Sequence, residues 1–365
     1  MKGAPLVLFA ILGLGSFAVG MHPPSVTRSE HGERQILDMA GRAVALAKTP
    51  RRVVVFPYVL AQYVTVQRGA ANVAGASRIA AETVADSILA EFYPRLVNIP
   101  ILAKGVYLQD PELLMAAAPD AVVVWSEDVP RLLQLGIPGV LARKIDPEDD
   151  LGEMNRKLWT FLGEVSGDQS RSQELLRRWR AQRKSLANFA VHPGGRTRIA
   201  MLYAGEGIGQ IGGHYAHLNE AIRFIGARNP AADRLRTINS NIEELLRLDP
   251  DILLLTSDYE KSPAELYELA AWRPLSVVRQ RRIYRIPQLA DIDGPVDDPL
   301  FILWLAQVAY GVSAPDGWRH EFGAAYEEVY GAKLSDAQID AVLRIRDNES
   351  SAGYSQFRAD ARAGT

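Results

Sequence analysis

Nine polar side chains follow short apolar runs closely, and their types suit the binding of a charged or aromatic small molecule. They are Tyr58, Arg78, Lys104, Tyr107, Ser126, Tyr203, His214, Tyr215 and Tyr259. Phenol rings can stack on an aromatic ligand and hydrogen-bond its rim, while arginine and lysine can offset its negative charge. The simpler interpretation of each single tyrosine is a half-buried packing residue. The pattern predicts a binding site and leaves that alternative open.

A glycine-rich segment, AGEGIGQIGG at 204–213, lies between Tyr203 and His214. Its composition is similar to that of a dinucleotide loop, but the spacing is not GxGxxG directly before a helix, so we expect no nucleotide cofactor. A glycine run ending at a helix N-terminus near His214 would instead offer backbone N–H groups to an oxyanion or carboxylate. His214 and His217, with Glu220, follow at helical spacing. Without a third ligand they are more simply two exposed histidines, and we expect no metal site.

Groupings typical of catalysis are missing from the sequence. The chain has no cysteine, and no serine lies in a GxSxG turn. The acid pairs Asp149-Asp150 and Asp297-Asp298 are more simply helix caps, with Pro299 opening the helix after Asp298. We therefore expect a binding protein without catalytic residues. An exported α/β enzyme is the alternative, and turnover of a bound compound would distinguish the two classes.

Composition bounds the kind of partner that the protein can have. The 365 residues are 48% hydrophobic, which is enough for two domains with cores. Because 41 Lys and Arg balance 43 Asp and Glu, we expect no nucleic-acid partner.

Residues 1–20 have Lys2, an apolar run from Leu6 to Leu14 and small residues near position 20, which predicts a cleaved signal peptide. The alternative, a membrane anchor, would need a longer apolar run.

One helix–strand unit occurs twice, at an offset of 131 residues: PELLMAAAPDAVVV begins at Pro111 and IEELLRLDPDILLL at Ile242. In each copy a glutamate, Glu112 or Glu243, precedes the proline by seven residues, and four apolar residues follow Pro-Asp. Short buried strands alternating with helices predict an α/β fold with parallel sheets. The repeat predicts two similar halves, at 34–166 and 196–346.

Gly167 to Ala190 is predicted to form one amphipathic helix that connects these halves. Leu175, Trp179, Leu186 and Phe189 recur at spacings of three and four, and Arg and Lys occupy the other face. Such a helix would span roughly 33 Å. The polar tail at 347–365 is predicted to be disordered.

Taken in order, the pieces resemble the periplasmic substrate-binding proteins of ABC importers that carry iron siderophores, haem, cobalamin and some metal ions or oxyanions. The matching stretches are Asp38–Arg42, Pro111–Leu114 with Pro119-Asp120, Gly136–Pro138, Asn241–Leu245 with Asp249–Asp251, Trp272–Leu275 with Arg282–Tyr284, and Gly294-Pro295 before Leu303–Ala306. The resemblance implies two Rossmann-like α/β lobes joined by one long helix, with the ligand in the cleft between them.

The same resemblance implies a function and partners. We expect a monomer in the periplasm that captures an iron(III)-siderophore or a related metal chelate and delivers it to a permease dimer and its ATPase. Binding of molybdate or tungstate, haem or cobalamin is the alternative, because the segment from Tyr330 to Asp336 looks like a subgroup that includes oxyanion binders. Acids at the positions of Glu112 and Glu243 dock on the permease in this family, although each could be a helix-capping charge.

Overall fold

The computed structural model describes residues 33–359, except positions 48, 106, 109, 147, 188–195, 214–218, 235–236, 291–296 and 315. The predicted signal peptide at 1–20 therefore lies outside the described residues. The strands are β1 (Glu33–Leu37), β2 (Ala43–Ala47), β3 (Val53–Val55), β4 (Val73–Ser77), β5 (Ile101–Ala103), β6 (Ala121–Trp125), β7 (Val140–Arg143), β8 (Ile199–Tyr203), β9 (Gln210–Ile211), β10 (Ile238–Asn239), β11 (Ile252–Leu255) and β12 (Ile283–Arg285).

Helices alternate with these strands along most of the chain. They are α1 (Leu60–Gln67), α2 (Arg78–Ala85), α3 (Leu89–Phe92), α4 (Pro111–Ala116), α5 (Val129–Gln134), α6 (Leu151–Ser166), α7 (Gln169–Leu186), α8 (Asn219–Phe224), α9 (Ile242–Leu248), α10 (Pro263–Glu268), α11 (Ser276–Arg279), α12 (Asp297–Tyr310), α13 (Trp318–Tyr330) and α14 (Asp336–Val342). Short 3₁₀ turns occur at Pro94–Asn98, Ala270–Trp272 and Tyr354–Phe357. Within the described ranges, no helix combines the length and the apolar character needed to cross a membrane.

The N-terminal lobe is built on a parallel sheet with the strand order β5-β4-β3-β6-β7. Its strands are continuous apolar runs because helices cover both faces. After β4 the chain forms two short helices, α2 and α3. Ser87 separates them, since its hydroxyl donates to the Val84 carbonyl and accepts the Leu89 amide.

The C-terminal lobe has the strand order β10-β9-β8-β11-β12, in which β8, β11 and β12 are parallel and β9 pairs antiparallel with both β8 and β10. The glycine run turns back on Tyr203 and forms the β8–β9 hairpin, which was not predicted, while the helix N-terminus expected near His214 lies outside the described residues. Gly209, at φ 108°, allows this turn. A Cβ there would overlap the Tyr203 carbonyl and lie 3.0 Å from the Tyr259 ring.

The two copies of the repeat have the same local structure. Asp120 accepts the amides of Arg51 and Arg52 at 2.7 and 3.0 Å, and Asp251 accepts the amide of Arg198 at 2.7 Å. Each aspartate thereby fixes the start of its own strand, β6 or β11, against the neighbouring parallel strand, β3 or β8. The repeat predicted from sequence is confirmed as a pair of equivalent structural units.

α7 lies within the helix predicted at 167–190, and a second helix that was not predicted, α6, directly precedes it. α6 and α7 are joined by Gly167, at φ 82°, and by Asp168, whose side chain caps α7. α7 ends at Leu186 and is about 27 Å long. Phe189 lies outside the described residues. The predicted helix began correctly at the turn formed by Gly167, and its role as the connector between the lobes stays a prediction.

Three apolar clusters show how the sheets are packed. One face of each sheet contributes to a shared core, with Val53 and Val123 from one lobe and Met201 and Leu254 from the other. The opposite faces pack within their own lobes. Helices α6, α7 and α12 contribute to the shared core. The lobes are therefore joined by apolar packing as well as by the chain.

The segment after Asp347 is ordered up to the last described residue, Ala359, which corrects the prediction of a disordered tail. Tyr354 and Phe357 are 2% and 0% exposed. The Trp304 indole donates to the Tyr354 hydroxyl at 3.0 Å, and that hydroxyl donates to the Leu343 carbonyl at 2.5 Å. Two aromatic anchors thus hold a segment whose other residues are mostly polar.

The β1–β2 hairpin packs its tip against the outer edge of β7. Asp38 is buried, accepts the Ala142 amide at 3.0 Å and holds Arg42 in a salt bridge at 2.7 Å. The Met39 amide donates to the Ala142 carbonyl at 3.1 Å. Gly41, at φ 78°, completes the turn that places these groups.

Candidate ligand-binding cleft

Tyr58 and Tyr107 lie beyond the carboxyl ends of β3 and β5 in the N-terminal lobe and are 47% and 51% exposed. Because the strands of this sheet are parallel, all their carboxyl ends open at the same edge. Burial raises the pKa of Tyr58 above its ordinary value of 10, and the nearby Tyr107 raises it further. The structure therefore brings two predicted residues together as half-exposed phenols.

Three other predicted residues lie at the same edge. Arg78 is the first residue of α2 and is exposed, with Glu82 3.4 Å away. Lys104 follows β5 directly and is also exposed. Ser126 follows β6, and its hydroxyl donates to the Glu127 carboxylate at 3.1 Å. The edge thus combines two phenols with two cations, as the sequence suggested.

Trp125 and Arg143, at the ends of β6 and β7, complete this edge. The Arg143 guanidinium lies over the Trp125 ring at 4.6 Å, and Arg143 is only 7% exposed. A stacked cation at the end of a strand was not predicted, because Arg143 looks like the start of a polar loop in the sequence. The register of β6 and β7, which pairs Trp125 with Arg143, brings the two together.

In the C-terminal lobe, Tyr203 and Tyr259 are more buried than Tyr58 and Tyr107. Tyr203 ends β8 and is half-buried. Tyr259 is 9% exposed and donates its hydroxyl to the Ile208 carbonyl at 2.8 Å. Burial raises the pKa of Tyr259 to about 12. Tyr259 therefore supports the glycine hairpin from within the core, whereas His214 and Tyr215 lie outside the described residues.

Arg285, at the end of β12, holds the loop that follows β11. Its guanidinium donates to the carbonyls of Thr256, Tyr259 and Lys261 at 2.8 to 3.0 Å. Arg285 is 6% exposed, and burial lowers its pKa, while Asp347, 3.3 Å away, opposes that change. Sequence reasoning missed this role, because the carbonyl groups that Arg285 binds lie 24 to 29 residues away in the sequence.

The two lobes contact each other through α2, α3 and the C-terminal helices. Gln288, after β12, donates to the Asp86 carbonyl, and Gln338 donates to Glu91 at 2.5 Å. Phe92 and Tyr330 pack with ring centroids 5.3 Å apart. These contacts fix one side of the region between the lobes.

α7 is tied to the C-terminal lobe by a buried polar network. Asp298, 2% exposed, accepts the Trp179 indole N–H at 2.7 Å and pairs with Arg183 at 2.9 Å. Arg183 also pairs with Glu220 at 2.6 Å and lies over the Phe224 ring. The prediction that Asp298 only caps α12 was wrong, because its carboxylate is used across helices. Glu220 likewise forms a salt bridge across helices, with Arg183.

The other acid pair behaves partly as predicted. Asp150 is the N-cap of α6 and accepts the Glu153 amide at 2.8 Å. Asp149 instead pairs with Lys157 at 2.8 Å. In the described ranges, no group of three or more His, Cys, Asp or Glu side chains is arranged to hold a metal ion.

Glu112 and Glu243 occupy the first turns of α4 and α9, and both are exposed. Asp110 and Asn241 cap these helices by accepting amides at 2.9 and 2.8 Å. The side-chain caps of these helices are thus Asp110 and Asn241, and the docking role of the glutamates stays a prediction. The position predicted for a docking pair exists in both lobes.

A search of protein-family profiles finds no match. One curated relative, an uncharacterised ABC transporter substrate-binding lipoprotein, YvrC of Bacillus subtilis, is 20% identical over 191 residues. That alignment covers 50% of this chain and 60% of the relative, so the chain spans less than two thirds of the length of the curated protein it matches.

Solved structures match over much more of the chain. A periplasmic solute-binding protein of Veillonella parvula superposes with a TM-score of 0.72 at 22% identity, covering 87% of this chain and 98% of its own. The molybdate-bound periplasmic protein MolA of Haemophilus influenzae gives 0.71 at 20% identity, over 83% and 99%. CeuE of Helicobacter pylori, in a nickel–histidine complex, gives 0.66 at 18% identity, over 85% and 99%.

The chain has the periplasmic solute-binding protein fold. Haem-binding proteins such as RhuT of Roseiflexus share it, with a TM-score of 0.59 at 19% identity over 72% of this chain and 98% of that protein. The solute-binding fold accounts for the two α/β lobes and for the strand ends that carry Tyr58 and Tyr107. It confirms the fold predicted from the sequence.

Proposed function

We propose that this protein is the periplasmic substrate-binding component of an ABC importer and is not an enzyme. The observation that carries the proposal is the half-exposed pair Tyr58 and Tyr107 beyond the strand ends of a lobe with the solute-binding fold. Ligands of open α/β sheets bind at this edge. Residues 1–20 would direct export and be removed, leaving a monomer in the periplasm.

The proposed ligand is an iron(III)-siderophore or a related metal chelate. Tyr58 and Tyr107 supply ring faces and hydroxyls, Trp125 supplies a further ring, and Arg78 and Lys104 supply positive charge for an anionic complex. Tyr203, His214 and Tyr215 are proposed to face the ligand from the other lobe. Tyr259 supports them by bonding the Ile208 carbonyl.

An oxyanion such as molybdate or tungstate is the second candidate, and the similarity to molybdate-bound MolA favours it. An oxyanion would depend on Arg78, Lys104 and backbone N–H groups more than on ring faces. Haem and cobalamin remain further members of the same ligand class.

Titration with a panel of ferric siderophores, haem, cyanocobalamin, molybdate and tungstate tests the proposal. Binding is followed by tryptophan fluorescence, since Trp125 lies at the strand ends. We expect saturable quenching by a ferric chelate, with no product formed. Quenching by molybdate or tungstate alone would select the oxyanion, and catalytic turnover of a bound compound would refute the carrier assignment.

Alanine variants separate the two ligand classes. Tyr58→Ala and Tyr107→Ala should each weaken a chelate about tenfold, which corresponds to about 1.4 kcal/mol. For an oxyanion, Arg78→Gln should weaken binding more than either tyrosine change. Val97→Ala is the matched control, because Val97 is 58% exposed and precedes β5 at the opposite edge of the sheet.

Glu112 and Glu243 are proposed to dock on the permease dimer that works with a cytoplasmic ATPase. Exposed carboxylates, one on each lobe, suit charge-assisted pairs with arginines of two permease subunits. The double change Glu112→Lys and Glu243→Lys should leave ligand affinity unchanged while abolishing stimulation of the ATPase. Normal stimulation by this variant, at an unchanged melting temperature, would count against the docking role.

A further inference from the structure

Met115 and Leu246 are exposed apolar side chains at equivalent positions of the repeated helix–strand unit. They are 47% and 41% exposed, and each lies three residues after the exposed glutamate of its helix, Glu112 or Glu243. Among the described residues, Leu246 is the single exposed large apolar side chain of the C-terminal lobe. One exposed leucine needs no explanation. The match between Leu246 and Met115 in the two copies of the repeat, however, does need an explanation.

The two positions share the same local frame. Three matched pairs define that frame: Leu114 with Leu245, both 0% exposed; Ala118 with Asp249, at φ 43° and 39°; and Asp120 with Asp251, which accept equivalent backbone amides. Because the inward side chains, the helix ends and the strand starts all match, Met115 and Leu246 point away from their sheets in the same way.

Each exposed apolar side chain forms a composite surface with its glutamate. Side chains three apart on a helix are neighbours, with Cβ atoms about 5–6 Å apart. Within the described chain, neither Glu112 nor Glu243 has an ion-pair partner. Glu244, by contrast, pairs with Arg234 and with Arg247, the latter at 2.8 Å. An uncompensated carboxylate beside an uncovered apolar group is thus present once on each lobe.

We propose that Met115 and Leu246 are apolar anchors that insert into two matching pockets of one partner, a two-fold symmetric membrane-protein dimer. Each partner subunit would present a basic side chain about 5–6 Å from an apolar pocket, to match the spacing of acid and anchor. Binding energy at interfaces concentrates in such buried anchors, while rim charges orient the partners. The inference rests on the proposed function and adds the anchors to it.

The test measures ATPase stimulation by the ligand-loaded protein, using its importer in lipid nanodiscs. The double variant Met115→Ser and Leu246→Ser should raise the half-saturating protein concentration at least tenfold. The two single variants should have equal effects within about a factor of two, since the repeat makes the sites equivalent. A double variant that stimulates like the wild type would overturn the anchors.

Leu133→Ser with Leu135→Ser is the matched control. These side chains in and after α5 are 53% and 42% exposed but have no counterpart in the other lobe. This control should stimulate the ATPase normally. If it loses as much stimulation as the Met115 and Leu246 double variant, the effect comes from general surface hydrophobicity and the anchors are refuted.

The outcomes also separate the anchors from the proposed function. If Glu112→Lys with Glu243→Lys abolishes stimulation while Met115→Ser with Leu246→Ser does not, only the anchors fail. If the wild type gives no stimulation, the proposed function fails with them.

Discussion

Asp251 shows how one carboxylate sets the start of a strand and makes stability depend on pH. Burial alone would raise its pKa, but hydrogen bonds from the Arg198 side chain and amide outweigh burial and hold the pKa below its ordinary 3.8. Since the folded-state pKa is the lower one, the stabilisation is fully present above about pH 4 to 5 and is lost as pH falls through the lowered value. Acid should therefore weaken this contact.

Asp251→Asn is expected to lower the free energy of unfolding by about 1 kcal/mol at pH 7. Hydrogen bonds to charged groups contribute somewhat more, but the side chain is 36% exposed and solvent screens it. The difference from the wild type should shrink toward zero at low pH. Urea unfolding at pH 7 and pH 3 measures it, with Glu260→Gln as a control at an exposed acid. A constant difference would contradict the assignment.

At the scale of elements, the α6–α7 pair depends on the absence of a side chain at Gly163. A Cβ there would overlap the Ser172 hydroxyl and lie 3.0 Å from its Cβ. Gly163→Ala should cost about 1–3 kcal/mol in overpacking, partly offset by about 1 kcal/mol of helix propensity. Thermal unfolding would measure this change. Gly323→Ala in α13, where no atom lies within 4 Å, should instead stabilise. Equal effects at both sites would refute close packing.

The tail supplies a second prediction at this scale. Phe357→Ala should lower the free energy of unfolding by about 3–5 kcal/mol, because the ring is fully buried against Trp318 and Tyr354. A chain ending after Arg358 should keep wild-type stability within about 0.5 kcal/mol. Denaturant unfolding of both proteins measures these free energies. A Phe357→Ala protein with wild-type stability would show that the segment after Asp347 is not packed on the core.

These elements show what sequence could and could not predict. Pro-Asp followed by four apolar residues is a local pattern, so the repeat and its strands were predicted correctly. The tail was missed because Tyr354 and Phe357 are two aromatic residues in a polar segment, and their partners are distant in sequence. The hairpin at Gly209 was missed for a similar reason, since its strand β9 exists only by pairing with β8. At the candidate site, the sequence placed Tyr58 and Tyr107 at strand ends, whereas Arg143 and Arg285 depended on register and folding.

For the whole molecule, the shared apolar core predicts that the two lobes unfold together. Its buried side chains include Trp159 in α6, Trp179 in α7 and Trp304 in α12, with strands of both lobes packed around them. Neither lobe can lose its structure without exposing this core to water. Scanning calorimetry of the ligand-free protein should therefore show one transition, with calorimetric and van't Hoff enthalpies in agreement. Two separated transitions would show that the lobes are independent.

The turn at Asp38 has a consequence for how molecules of this protein meet one another. β7 is the last strand of its sheet, and such an edge is a ready template for a strand of another chain. Here the Ala142 amide and carbonyl are both occupied, by Asp38 and by the Met39 amide. The hairpin thus blocks the addition of another strand at Ala142, which opposes aggregation. This protection depends on a short turn whose geometry is held by one buried carboxylate.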